Sequence, residues 1–392
     1  MLTSLHLATK EIWRNKGRFL LISLVIALIT TLVLFIAGLA EGLASGQKEY
    51  IEKLDVELLV YQDNVDLTIP SSRIGRSKIN DVRRVEGVQD VGPIGFASSV
   101  LVQKITADGS EVLSEPLDIS LIGVEPDKPG ESPVLEGRTL SGKRVSEAII
   151  DQNMARQSGL KVGDRFIIKT IQGTLEKYHT LEVVGITDGR RYAINPSILV
   201  PYLTWNEIRP KATVNETGEL TSNILAVKLD GSSPDDVIAE RLVERVTGIE
   251  VTDLETAYQS IPGYRPQQST LSTQRIFTLL IGLLVIGGFF QIQTLQKVAQ
   301  VGVLKAIGAP NTTVVIVSVV QIILITTVGV AIGSAGTLAL ALNFPVTIPI
   351  IFSPPSVIAA VCTLLLIGPI GGLISIRTLL KVEPLTALGL AQ

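Results

Sequence analysis

Residues 306–376 read AIGAPNTTVVIVSVVQIILITTVGVAIGSAGTLALALNFPVTIPIIFSPPSVIAAVCTLLLIGPIGGLISI and contain no Asp, Glu, Lys or Arg. A soluble core has no use for 71 uncharged residues in a row, whereas about 20 apolar residues cross a bilayer. The run is too long for one helix. It breaks at 343–355 (NFPVTIPIIFSPP), where four prolines remove backbone donors and clash with the preceding turn. The sequence therefore predicts membrane helices at 313–342 and 356–376, joined by a short outer hairpin at 343–355. Two further uncharged apolar runs lie upstream, at 19–40 and, between Arg275 and Lys297, at 276–296. The predicted fold class is an α-helical membrane protein with four transmembrane helices and an extracytoplasmic α+β domain between the first two.

The first run resembles a signal peptide in part. Lys10, Arg14, Lys16 and Arg18 precede it, and Gly38-Leu39-Ala40 has the small residues of a cleavage site. Its 22 apolar residues exceed the roughly 7–15 of a signal-peptide core, so a retained anchor is expected.

Composition narrows the function. Of 392 residues, 46% are apolar and 18% charged, against about 25% charged in soluble chains. The net charge of -3 and the lack of a long basic run argue against nucleic-acid binding. Cys362 is the single cysteine, and His6 and His179 are the only histidines. That supply is too small for zinc chemistry or a Cys–His or Ser–His hydrolase. No metal site and no catalytic residues are expected.

Lysine and arginine placement sets the orientation. Segments 1–18, 297–312 and 377–392 together carry eight basic residues against Glu11 and Glu383. With four spans, all three lie on one side, the cytoplasm, with both termini there and the 1–18 segment amphipathic. The 41–275 loop is then outside, with 26 basic and 35 acidic residues.

That loop alternates strand-like and helix-like runs. Asp55–Tyr61, Arg76–Val85 and Gly87–Val91 read as strand, helix and strand. Asn223–Leu229, Ser233–Val246 and Gly248–Val251 repeat the pattern, with Ser233 capping and Pro234 opening the helix. Two βαβ-like flanks thus enclose a β-rich insertion at about 106–220. Its strands are Ile119–Val124, Asp164–Thr170, His179–Ile186 and Ser197–Pro201, and its helix is Asp151–Ser158, ended by Gly159.

Gly137 to Arg144 (GRTLSGKR) approaches a phosphate loop, but Arg144 replaces the Ser/Thr that would hold magnesium. A polar loop is the better reading. Asn215-Glu216-Thr217 is a glycosylation sequon of no evident use. Gly38/Gly42, Gly329/Gly333 and Gly368/Gly372 are small-residue pairs suited to close helix approach, within the chain or between copies.

The sharpest local signal is Thr294–Pro310, TLQKVAQVGVLKAIGAP. Val298, Val301, Leu304 and Ile307 recur every third residue as a narrow apolar stripe. Lys305 suits a helix C-terminus, Gly308 a left-handed cap, and Pro310 prevents continuation. A short amphipathic helix over 297–312 is expected at the cytoplasmic surface. It would rest on lipid or press on a cytoplasmic partner.

Gln300–Ala309 (QVGVLKAIGA) resembles the signature after the second span in MacB/FtsX-like permeases of ABC transporters, the type VII group. Lys381–Leu388 (KVEPLTAL) resembles their short tail, and Lys10–Arg18 with the apolar run after it their N-terminus. Val134–Ile186, with Glu147–Asp151 (EAIID), Gly159–Asp164 (GLKVGD) and Val183–Thr187 (VVGIT), resembles their extracytoplasmic core. A narrower likeness to bacterial haem-efflux permeases rests on Val33–Gly42, Leu295–Gly302 and Pro345–Pro349, although the outer domain reads as longer than theirs.

The resemblance implies a homodimer in the cytoplasmic membrane, working with two copies of an ABC ATPase that binds ATP and magnesium. This chain itself carries no cofactor. A periplasmic adaptor is a further partner the family admits. The implied contacts to the ATPase are Gln300, Val301, Val303, Leu304, Lys305, Ile307 and Gly308, with Lys381 and Pro384 in the tail. Closure of the ATPases would tilt spans 1 and 2 and expel an amphipathic cargo, haem among the options, from the outer leaflet or periplasmic side. Where spans 1 and 2 leave the membrane, Glu41, Tyr50, Tyr258, Tyr264 and Arg265 are the candidate cargo contacts. Tyrosine is a known haem ligand, and interfacial anchoring is its competing role. The alternatives are export of lipid, lipoprotein or peptide, an FtsX-like signal transmitter without transport, and a membrane enzyme.

Overall fold

The computed structural model describes residues 14, 16–105, 111–211, 220–308, 310–343 and 350–380. Helix α1 spans Lys16–Glu52. Strand β1 (Leu58–Gln62), β2 (Ile74–Gly75), α2 (Arg76–Arg83), β3 (Val88–Ile105) and β4 (Glu111–Val124) follow. Then come β5 (Val134–Gly137), β6 (Glu147–Asp151), α3 (Gln152–Ser158), β7 (Arg165–Gln172), β8 (Leu175–Thr187), β9 (Ser197–Pro201) and α4 (Tyr202–Ile208). β10 (Thr221–Ser222), β11 (Ile224–Leu229), α5 (Asp235–Arg245), β12 (Ile249–Asp253) and α6 (Leu254–Gln259) complete the outer region. The last three helices are α7 (Tyr264–Ala306), α8 (Asn311–Asn343) and α9 (Pro354–Leu380). The chain divides into two compact units, Met1–Gly42 with Gln268–Gln392, and Leu43–Gln267, so both boundaries fall inside helices.

In the outer unit the predicted flanks are interleaved rather than separate. β1 lies between β11 and β12 and pairs antiparallel with both; β11 also pairs antiparallel with β3. The resulting order β12-β1-β11-β3 is that of a split βαβ pair. Side-chain alternation explains it. Leu58 and Val60 point to the face covered by Ile79 and Val82 of α2 and Ile238 and Leu242 of α5. Leu59 and Tyr61 point to the other face, against Tyr50 and Ile51 of α1 and Leu54 just after it. Each fully buried aliphatic side chain there contributes about 1.5–3 kcal/mol.

The expected insertion has no boundary of its own. β3 and β4 form one long antiparallel hairpin, β9 joins β4 in parallel, and β6, β8 and β5 follow in the same sheet, with β7 bridging β3 and β8. Ile122, Ile149 and Leu199 therefore sit in one cluster with Leu59 and Tyr61. Asp151 caps α3 by accepting from Met154 N at 2.7 Å, and Gly159 ends it at φ 69°. Ser233 does not cap α5: Pro234 holds the cap position, and Asp235 and Asp236 occupy the first turn. The Gly137–Arg144 segment is the end of β5 and a loop, with Lys143 paired to Glu125. The sequon Asn215-Glu216-Thr217 lies outside the described residues.

Among the described residues, four helices are long and apolar enough to cross a membrane. They run past the predicted limits at nearly every end. The largest departure concerns 297–312, which is not a separate helix. α7 continues unbroken to Ala306 because nothing between Gln296 and Lys305 interrupts its hydrogen bonding. The turn comes only at Ile307 and Gly308, with Gly308 at φ 94°.

Candidate functional site

The glycine pairs hold the helical unit together. A Cβ on Gly329 or Gly333 of α8 would fall 2.6 Å from Ile26 or Thr30 of α1, and one on Gly368 of α9 would strike Thr326 of α8. Gly371 lies against Gly287 of α7, where a Cβ would be 3.1 Å from the Gly287 nitrogen. These pairs therefore serve packing within one chain. Around them Phe19, Ile26, Phe290, Ile325 and Leu364 form a buried cluster. Near the Arg18 end of α1, polar groups gather inside the bundle. Lys297 Nζ donates to Gln321 Oε1 at 2.8 Å and lies 5.7 Å from the Phe19 ring, with buried Gln293 lining the same small cavity. Arg18 is hydrogen-bonded to Gln296.

The predicted coupling residues divide by face. Val301 is buried against Val314 of α8, whereas Val303 is 47% and Ile307 78% exposed. Gln300 and Gly308 are exposed as well. The stripe is thus split, with Val301 packing inward and Ile307 exposed, while Val303, outside the stripe, adds to the uncovered apolar surface. Lys305 Nζ donates to the Leu380 carbonyl at 3.1 Å, so it ties the end of α7 to the end of α9. The Leu304 side chain, Lys381 and Pro384 lie outside the described residues.

The five candidate cargo contacts do not form one group. Glu41 belongs to the helical unit, where its carboxylate accepts from Ser356 Oγ at 3.2 Å in the first turn of α9. Beside it, Ile351 N donates to Gly38 O at 3.0 Å and Gly38 packs against Phe352. Tyr50 is a core residue, fully buried, with its hydroxyl donating to Gly130 O at 3.1 Å. Burial pushes its hydroxyl pKa far above the ordinary value, and it is not available to a ligand. The sequence reading missed this because Tyr50 follows the apolar span closely but lies two turns inside the outer unit.

Tyr258, Tyr264 and Arg265 do come together. The two rings are 5.9 Å apart, Lys48 Nζ stands 5.0 Å from the Tyr258 centroid, and exposed Arg265 donates to Gln259 at 3.3 Å. Gln47 Nε2 donates to Gln267 Oε1 at 2.7 Å between α1 and α7. Burial raises the Tyr258 pKa, and the Lys48 charge opposes the rise. The result is a half-buried aromatic pair edged by two cations, a surface suited to a flat, negatively charged amphipath.

A second cluster gave no signal in the sequence, because its three parts, Glu49 with Lys53, Asp151, and Asp188 with Arg190, lie far apart along the chain. Lys53 at the end of α1 pairs with Glu49 at 2.9 Å and Asp188 at 3.3 Å and also bonds Gly189 O. Arg190, 4% exposed, donates to the Lys53 carbonyl at 2.8 Å and to Asp188 at 2.7 Å, so it caps α1 from outside the helix. Burial works against the Asp188 charge, but bonding to Arg190 and the charge of Lys53 hold its carboxyl below the ordinary value. Buried Asp151 accepts from Arg190 N at 3.2 Å; burial pushes its pKa up, with the three bonds to it opposing. His179 lies apart on β8, its pKa lowered by burial.

The MacB-like periplasmic core domain family matches residues 19–245, and the FtsX-like permease C-terminal family matches 275–384. A relative from Staphylococcus haemolyticus, named as the hemin transport system permease HrtB, is 28% identical over 98% of this chain and 99% of its own. The outer domain is therefore not extended relative to that protein. An uncharacterised ABC transporter permease of Mycobacterium bovis is 21% identical over 98% of this chain and 99% of its own. The periplasmic region of MacB from Actinobacillus actinomycetemcomitans overlays 54% of this chain and 94% of its own at 16% identity and a TM-score of 0.36. The family assignment rests on the two domain matches, which together run from the first helix into the tail. This chain, with its four membrane helices and extracytoplasmic α+β domain, belongs to the MacB/FtsX-like permeases of ABC transporters.

Proposed function

We propose that this permease is the membrane subunit of an ABC exporter that expels an amphipathic cargo, with hemin the first to test. Two copies of the chain work with two copies of a separate ATPase, which binds the ATP and magnesium. The chain lies in the cytoplasmic membrane with both termini inside, and transport through a periplasmic adaptor is a further option. The cargo reading is supported by the end-to-end likeness to a protein named for hemin transport. The coupling reading is carried by one observation: exposed Val303 and Ile307 flank Lys305, whose ammonium holds the end of α9. A partner pressing on that apolar surface moves α7 and α9 together. On the outer side, Tyr258, Tyr264, Lys48 and Arg265 offer rings and cations to a planar acid. Exposed Leu20, Leu24, Leu28 and Leu32, four residues apart on α1, suit lipid or a second copy.

The test is reconstitution with the cognate ATPase in vesicles loaded with hemin. ATP-dependent loss of hemin, and ATPase activity stimulated by it, are expected. Hydrolysis insensitive to hemin but sensitive to lipid or peptide would move the reading to those cargoes. Hydrolysis insensitive to all three would favour a signal transmitter.

A further inference from the structure

A cavity of about 370 Å³ opens in the outer unit, away from the Tyr258–Tyr264 pair. One of its lining side chains, Trp205, is seated on glycine. Gly95 on β3 and Gly123 on β4 are register partners, and the Trp205 indole of α4 lies flat on them. A Cβ on Gly95 would fall 2.6 Å from the indole, and one on Gly123 closer still. Phe96, Tyr192 and Trp205 supply aromatic surface to the lining, with Phe96 and Tyr192 centroids 4.5 Å apart. Arg73 and Arg209 supply the charge, and no carboxylate lines the cavity among the described residues. The Arg209 guanidinium stands 5.4 Å from the Trp205 ring and donates through Nε to Asn206 at 3.2 Å. Its two terminal nitrogens make no hydrogen bond among the described residues.

One wall is strained. Ala193 and Ile194 have φ of 51° and 72°, a left-handed conformation that a β-branched residue adopts at a cost of order 1–3 kcal/mol. The same loop grips helix α1: Ile194 N donates to Gly46 O at 2.9 Å, and Tyr50 N donates to Arg191 O at 3.0 Å. Phe96, in turn, meets the Tyr50 ring edge-on at 5.5 Å. Two walls of the cavity therefore rest directly on the helix that continues into the membrane unit.

We propose that this cavity is a binding site for a planar aromatic carboxylate, and that its occupancy is felt at the Gly46–Tyr50 stretch of α1. The partly buried Phe96 and Tyr192 rings meet the ligand, Trp205, 3% exposed and stacked on Tyr202, walls it with its edge, and Arg209 takes its carboxylate in a bidentate pair. A volume within the ~300–1,000 Å³ of small-molecule pockets limits the ligand to a few fused rings. The two arginines, with no acid in the lining among the described residues, select anions over cations of the same shape. The site is independent of the cargo proposed above, and neither stands on the other.

The probe is 2,6-naphthalenedicarboxylate, titrated by calorimetry into the full-length permease in nanodiscs; its two charges keep it out of lipid. Saturable binding at one site is expected, with 2,6-bis(aminomethyl)naphthalene at least about tenfold weaker. Arg209→Gln should weaken the dicarboxylate about tenfold or more. Ser98→Phe, on an exposed lining position of β3, should fill the cavity and abolish binding without touching Arg209. Hydrogen exchange read by mass spectrometry should slow in peptides covering 46–54 and 190–197 when the probe is bound. No binding, equal binding of the diamine, or binding unchanged in both variants would overturn the site. Binding with unchanged exchange in both peptides would overturn its link to α1.

Discussion

The Glu41 carboxylate accepts a hydrogen bond from Ser356 Oγ, and Ser356 also bonds Ser353 Oγ at 2.8 Å. Glu41 thus sits at the first turn of α9, where a helix favours negative charge. It ties α1 to α9 where the sequence suggested a free cargo contact. Glu41→Ala and Ser356→Ala should each lower the thermal stability of the permease in nanodiscs, by about 0.5–2 kcal/mol, and the double variant should lose little more than either single one. Additive losses in this cycle would sink the pairing. Cargo-stimulated ATPase lost in the Glu41 variant alone would return Glu41 to the cargo path.

The elements that were legible in the sequence were those with local causes. Asp151 and Gly159 bound α3 because capping is written in adjacent residues, and the four spans are visible as uncharged runs. What was not legible depends on residues far apart in sequence. Arg190 caps α1 across 137 positions, and the interleaving of β1 with β11 and β12 leaves no periodic trace. The glycine pairs were visible as pairs, but their partners Ile26, Thr30 and Thr326 were not. The stripe over 298–307 was read correctly as apolar and wrongly as one face, since Val301 had a partner on α8 that spacing does not reveal.

Exposed Ile307 and Val303 carry the second prediction. Ile307→Asp and Val303→Asp, made singly, should leave the fold intact because both side chains are largely exposed. In complex with the ATPase, a charge desolvated at the interface should weaken binding by about 2–4 kcal/mol. The measurement is co-purification affinity and ATP-driven transport. Unchanged affinity and transport in both variants would make this end of α7 a lipid-surface element only.

Arg190 is a buried charge of the outer unit, 4% exposed. Arg190→Ala removes the donor of the Lys53 carbonyl and one of the donors of Asp188, which keeps Thr187 and Lys53 and is 33% exposed, at a cost of about 1–3 kcal/mol. Denaturant unfolding followed by Trp205 fluorescence in a Trp13→Phe background should show the midpoint fall accordingly. Arg190→Lys should recover only part, because one ammonium cannot reproduce the two bonds of the guanidinium fork. A loss below about 1 kcal/mol would place the network among weak surface pairs.

The last prediction concerns acid. Arg138 bonds the Glu147 carboxylate through both terminal nitrogens, at 2.6 and 3.1 Å, and Ser141 adds two bonds. Foremost through the Arg138 bond, the Glu147 pKa is lowered to about 2, from an unfolded value of about 4.3. A carboxyl with a depressed folded pKa contributes stability that is fully present above its unfolded pKa. That contribution is lost as pH falls from about 4.3 through about 2. Arg138 is half exposed, so solvent screens the pair and its contribution is small. Arg138→Gln should therefore lower the melting temperature of the outer unit by a constant few degrees at and above pH 6. The gap to the wild type should narrow below about pH 4.5, where protonation removes the charge that Arg138 holds. Differential scanning calorimetry of the two proteins from pH 7 to pH 3 makes the comparison. A gap that stays constant down to pH 3 would mean that Arg138 stabilises β5 by packing alone and that the Glu147 carboxyl titrates alike in the folded and unfolded chain.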